Sequence, residues 1–120
     1  MSELEAIRSE LRAFMEAREW GQFHDPKNLA MCVVSEAGEL AAELRWIDNA
    51  EADAWCREPE ARARLADEVA DVAISLLLLC DRIDLDPFEA IRAKMIKNAA
   101  KYPVESSRGH AHPPKSEESK

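Results

Sequence analysis

Apolar residues recur every three or four positions along most of this chain, the spacing that lines one face of an α-helix. Leu4, Ile7, Leu11, Phe14 and Met15 overlap Ser2-Glu3-Leu4-Glu5, a capping-box pattern, and predict an amphipathic first helix over residues 2–19. Gly21 and Pro26 then interrupt the periodicity, so the stretch from Trp20 to Asn28 reads as a loop. Asn28 is placed to cap a second helix from about Leu29 to Trp46, with Leu29, Val33, Leu40 and Leu44 as its core stripe. Residues 47–58 form a connection with room for one or two helical turns.

Pro59 suits the first turn of a third helix, which runs to about Ile83. From Val69 to Cys80 this helix is apolar on every side except at Asp71 and Ser75. A helix apolar all round must be covered all round, which predicts a self-association interface as well as a domain core. Asp86, Pro87 and Glu89 open a fourth helix to about Lys101, with Phe88, Ile91, Met95 and Ala99 turned inward. Tyr102-Pro103 stops it. With only three glycines and a vocabulary of Ala, Leu, Glu and Arg, the expectation is an all-α protein, a four-helix bundle over residues 1–103. Residues 104–120 carry too little apolar material to fold and read as a disordered tail. His110 and His112 in that tail make a weak metal pair.

A hydrophobic fraction of 47% in 120 residues supports one packed domain. The formal net charge of −8 excludes a nucleic-acid polymer as partner, since phosphate backbones need a basic stripe. A small nucleotide is compatible if a divalent cation offsets its charge. The cysteines Cys32, Cys56 and Cys80 are odd in number and lack C-x-x-C spacing, which suits a reducing compartment. The acidic, amphipathic N-terminus is no signal peptide, and no apolar run is long enough to span a bilayer. A cytoplasmic, membrane-free protein is expected.

The chemistry lies in two carboxylate pairs. Glu36 and Glu39 sit three residues apart on the second helix, and Glu68 and Asp71 sit three apart on the third. That spacing places both members of a pair on one helix face. Glu36, Glu39 and Glu43 border the core stripe, with Gly38 leaving a gap in side-chain bulk. Asp71, in its apolar run, needs a partner, and the nearest basic residue upstream is Arg64. Four converging anions repel unless a cation sits among them, and carboxylates without His or Cys select Mg²⁺, or Mn²⁺, over zinc. A di-iron bundle would require Glu-x-x-His pairs, and no His lies in a predicted core helix. Lys94, Asn98 and Lys101 on the fourth helix are candidate phosphate contacts, and Trp20, His24 and Asn28 on the loop are candidate substrate contacts.

The run Trp20-Gly21-Gln22-Phe23-His24, the Glu36/Glu39 pair, Trp46, the Glu68/Asp71 pair and Lys94, Asn98, Lys101, Tyr102 and Pro103 resemble the MazG-like all-α nucleoside triphosphate pyrophosphohydrolases. Within them the dCTP pyrophosphatase branch looks closest, over roughly Phe14 to Pro103. The resemblance implies Mg²⁺-dependent hydrolysis between the α and β phosphorus, giving monophosphate and pyrophosphate for nucleotide-pool control. It implies Glu36, Glu39, Glu68 and Asp71 as catalytic metal ligands, with one glutamate able to hold the attacking water instead. It implies Trp20 and Trp46 beside the base, Lys94, Asn98, Lys101 and Tyr102 beside the phosphates, and a homodimer or homotetramer. Leu11 stands where close dCTP pyrophosphatases carry a His, and Ser75 where they carry an aromatic. The competing expectation is a non-catalytic helical oligomer that binds a structural divalent cation.

Overall fold

Ser2 opens the first helix as its pattern predicts: its hydroxyl accepts from the Glu5 N–H, and the Glu5 carboxylate accepts from the Ser2 N–H. The computed structural model of the chain describes residues 1–111. Six α-helices follow in order: α1 Glu3–Ala17, α2 Pro26–Leu44, α3 Asn49–Arg57, α4 Pro59–Arg82, α5 Pro87–Lys101 and α6 Val104–Ser107. A 3₁₀ turn, Trp20–Phe23, joins α1 to α2, and no strand occurs among the described residues. The four predicted helices are α1, α2, α4 and α5; α3 fills the connection over 47–58. His112 lies outside the described residues.

The start of α2 differs from expectation. Asp25, not Asn28, is its cap: the Asp25 carboxylate accepts from the Asn28 N–H at 2.9 Å, and Pro26 takes the first helical position. Pro26 starts a helix here rather than breaking one, because a first-turn residue has no intrahelical N–H to lose. Asn28 instead donates its side-chain amide to the Phe23 carbonyl at 3.0 Å and ties the 3₁₀ turn to the helix.

The chain divides into two units, Met1–Leu85 and Asp86 onward. In the first, α2 and α4 make the principal helix contact, and α1 and α3 pack on α4. They run antiparallel in a constant register: Leu29 and Leu78 line one cavity, Glu39 meets Glu68, and Glu43 bonds Arg64. Leu29, Ala61 and Cys80 are buried, as is Ser75. Val69 and Leu76 on α4 and Ile83 at its C-terminal cap, spaced seven residues apart, stay substantially exposed, as do Ile7 and Phe14 on α1. In the second unit, the Asp86 carboxylate caps α5 by accepting from the Phe88 and Glu89 N–H groups at 2.8 and 3.3 Å.

A charged clasp fastens α1 to α4. Arg12 Nε donates to both Asp81 oxygens, at 3.1 and 2.9 Å, its Nη2 adds a further bond to the same carboxylate, and Arg8 reaches it at 3.4 Å. The hydrogen bond from Arg12 holds the Asp81 carboxyl below its ordinary value against the opposing effect of burial. A lowered folded-state value means stability that is present above the unfolded pKa and lost as pH falls through the folded one. Asp81→Asn is therefore expected to lower the urea midpoint near neutral pH. Its deficit should shrink below the ordinary aspartate value of about 3.9, where the wild type forfeits the same interaction. Urea titrations at neutral and acid pH check this.

Candidate metal centre

The α2–α4 register brings carboxylates from both helices to one point. One oxygen from each of Glu36, Glu39 and Glu68 lies within 4.8 Å of the others. Glu36 and Glu68 are half-buried, and Glu39 is exposed. One oxygen of Glu36 and one of Glu68 are closed off from solvent without any hydrogen-bond partner. Such orphaned acceptors are costly unless something electropositive meets them.

Electrostatics report the same crowding. Glu36 is pushed above the ordinary glutamate value first by burial and then by the charge of Glu39, with Asp71 and Glu68 adding repulsion. Burial also leads for Glu68, followed by the charges of Glu39, Asp71 and Glu43. Asp71 is thus close enough to be felt by both glutamates, yet it stands outside the group of three. It is also exposed, where the apolar surroundings on α4 predict burial. The reason is that one chain covers only one face of α4, leaving Asp71 exposed on one flank and Val69 and Leu76 on another, about 140–200° around the helix. Gly38 opens onto free space, since a methyl group there would meet no atom within 4 Å.

The donor set fits a hard divalent cation: three carboxylates from two rigid helices, two unpartnered oxygens, and no His or Cys in the group. Toward the start of α2 the same seam widens into a cavity of about 280 Å³, lined among others by Arg12, Met15, His24, Leu29, Leu78 and Asp81. Toward the end of α2 it closes with the Glu43–Arg64 pair at 3.2 Å. The register had to be seen before these two ends could be recognised; the sequence offered only the i, i+4 steps from Glu39 to Glu43 and from Arg64 to Glu68.

The remaining predicted residues lie as follows. Trp20 packs edge-on against Phe14 at 5.9 Å, next to Gly21 of the cavity. Trp46 is 82% exposed just beyond the end of α2, with the Arg45 guanidinium 5.3 Å from its ring. A helix of 19 residues is roughly 28 Å long, so one chain does not bring Trp20 and Trp46 together. Lys94, Asn98 and Lys101 lie on α5 in the second unit, and the Lys101 ammonium sits 5.4 Å from the Tyr102 ring.

The MazG-like family profile matches residues 40–112. The chain is 42% identical to dCTP pyrophosphatase 1 of Rattus norvegicus over 108 residues, covering 90% of this chain and 64% of that protein. Against the Homo sapiens protein of the same name it is 38% identical over 105 residues, covering 88% and 62%. The chain therefore spans less than two thirds of the length of these relatives. A pyrophosphatase structure from Archaeoglobus fulgidus superposes with a TM-score of 0.77 at 34% identity, covering 86% of this chain and 94% of that one.

If the cluster is a cation site, millimolar Mg²⁺ should raise the melting temperature, because a ligand of the folded state alone stabilises it. Glu36→Gln and Glu68→Gln should each lose most of that rise. Both should also melt higher than the wild type in metal-free buffer, since each removes one charge from a repelling group. Thermal scans with EDTA and with Mg²⁺ measure both effects.

Proposed function

Because the chain belongs to the MazG-like family, we propose that it hydrolyses nucleoside triphosphates, dCTP or a modified dCTP foremost, to the monophosphate and pyrophosphate. The observation that carries this reading is the convergence of Glu36, Glu39 and Glu68 with two orphaned oxygens. The names of its relatives support the choice of dCTP. A cleansing or balancing role in the nucleotide pool follows from such a reaction.

We assign Mg²⁺ to Glu36, Glu39 and Glu68, with Asp71 joining them. When bound there, the ion would supply charge neutralisation on the phosphates and a more acidic water. The protein's own part is to hold the water and the α-phosphate in line. One of the glutamates orients the water and accepts its proton. The water oxygen bonds to the α phosphorus, the bond from that phosphorus to the bridging oxygen breaks, and pyrophosphate leaves with the electron pair.

The cavity beside Trp20 is proposed to take the base. From Leu29 to Glu36 is seven residues of helix, about 10 Å, a reach suited to a base and sugar ending in an α-phosphate. His24 lines that cavity, whereas Asn28 contributes by fixing the turn that carries Trp20 and His24. Stacking on an aromatic ring is worth about 1–3 kcal/mol per base. Trp46 joins Trp20 about one base only if a second copy supplies it. A homodimer or homotetramer is proposed, with the exposed Val69, Leu76 and Ile83 stripe as interface. Lys94, Asn98, Lys101 and Tyr102 are proposed as phosphate contacts from charge and spacing alone. Among the described residues no helix is long and apolar enough to cross a membrane. The free thiols of Cys32, Cys56 and Cys80 accord with the cytoplasmic location we propose.

Incubation with dCTP and Mg²⁺ should release dCMP and pyrophosphate in equal amounts. Orthophosphate release alone would indicate a different reaction, and no turnover of any nucleoside triphosphate would leave a structural cation site. Glu39→Gln should lower kcat by at least about a hundredfold while circular dichroism remains unchanged. Activity within a few-fold of wild type would remove Glu39 from the metal ligands.

A further inference from the structure

We propose that Arg64, steered by Glu43, is the contact for the terminal phosphates of the substrate and for the departing pyrophosphate. The inference rests on the functional reading above and adds a residue to it. Its first support is the order of features along the α2–α4 seam. The cavity lined by Leu29 and Leu78 lies at one end, the cluster of Glu36, Glu39 and Glu68 in the middle, and the Glu43–Arg64 pair at the other end. A triphosphate with its base in the cavity and its α-phosphate at the cluster extends its β- and γ-phosphates toward Arg64. Glu39 and Glu43 are four residues apart, about 6 Å along the helix, a distance the two further phosphates can bridge.

The second support is the state of the guanidinium. Arg64 spends Nε on Glu43 Oε2 at 3.2 Å, and neither Nη1 nor Nη2 bonds to protein among the described residues. Its side chain is 52% exposed, whereas that of Glu43 is 25% exposed. Two free, parallel donors on an arginine match two oxygens of a phosphate. The bond to Glu43 holds a long side chain in place beforehand, which lowers the entropy lost on binding.

The third support is the charge of Glu43 itself. It stands one helical turn beyond Glu39 on α2, and its partner Arg64 stands one turn before Glu68 on α4. Alone, Glu43 would add a further negative charge beside the path of a polyanion. Paired with Arg64, it becomes a support for a cation that attracts one. The arrangement uses an acid to aim a base.

The test is binding of inorganic pyrophosphate and of dCMP, each measured by calorimetry with Mg²⁺ present, for wild type and Arg64→Gln. Pyrophosphate binding should weaken about tenfold or more, the worth of a charged hydrogen-bonded contact. dCMP, which lacks the terminal phosphates, should bind within about twofold of wild type on the same reasoning. Steady-state assays should show a matching rise in the inhibition constant for pyrophosphate. Equal pyrophosphate affinity in the two proteins overturns the proposal, as does an equal loss for both ligands or no pyrophosphate binding by wild type. Should Arg64→Gln fail to fold, Arg64→Lys decides: it keeps the charge but loses the fork, so pyrophosphate should bind several-fold more weakly, and unchanged affinity overturns the proposal. Wild type that binds pyrophosphate but turns over no triphosphate would instead sink the functional reading.

Discussion

Like charges held together at the α2–α4 seam are the constraint around which this protein is organised. Glu36, Glu39 and Glu68 meet because the two helices pack in one register, with Leu29 buried at the start of α2 and Cys80 buried near the end of α4. Hydrophobic burial is non-directional and scales with area, so it tolerates a local electrostatic penalty that would scatter the same groups on a free surface. The helices thus hold an unfavourable arrangement ready, one that a bound cation would convert into a favourable one. Catalytic sites are commonly built this way, with stability given up locally to fix geometry in advance.

The register also orders chemistry in space. Features that are far apart in sequence become neighbours along one groove, as Leu29 with Leu78 and Glu43 with Arg64. Because the partners run antiparallel, a step toward the end of α2 is a step toward the start of α4. A linear substrate laid in such a groove has a direction. It would meet a half-open cavity with a mixed apolar and polar lining first, then anions, then a cation, and the base, sugar and phosphates of the proposed substrate follow a matching order.

Much of this was legible from residue identity. The Ser2–Glu5 capping box and the Asp86-Pro87 start depend on bonds within a few residues, so sequence specifies them directly. The Glu36/Glu39 and Glu68/Asp71 pairs were legible because helical spacing alone puts each pair on one face. The start of α2 was misread, since Pro26 both breaks and begins helices and only the Asp25 side chain distinguishes the cases. The burial expected for Asp71 failed because it depends on which surfaces cover α4, a property of packing rather than of periodicity. Neither the Arg12–Asp81 clasp, spanning 69 residues of sequence, nor the cavity it borders leaves a local signature.

In the proposed reaction, base selectivity is separable from hydrolysis. The carboxylates occupy the middle of the seam; of the two departures from the dCTP pyrophosphatase pattern, Ser75 lies on α4 between Asp71 and Leu78, and Leu11 lies on α1. Ser75 sits one turn beyond Asp71 on α4 and is 8% exposed, so a small side chain fills a position between the cluster and the cavity. Leu11 directly precedes Arg12, whose guanidinium lines that cavity while clasping Asp81. Ser75 has less bulk than an aromatic and adds a hydroxyl. It leaves the charge at the cluster unaltered. On the proposed function, substitutions near the cavity would retune which base is accepted without disturbing the acidic cluster, provided the α2–α4 register survives.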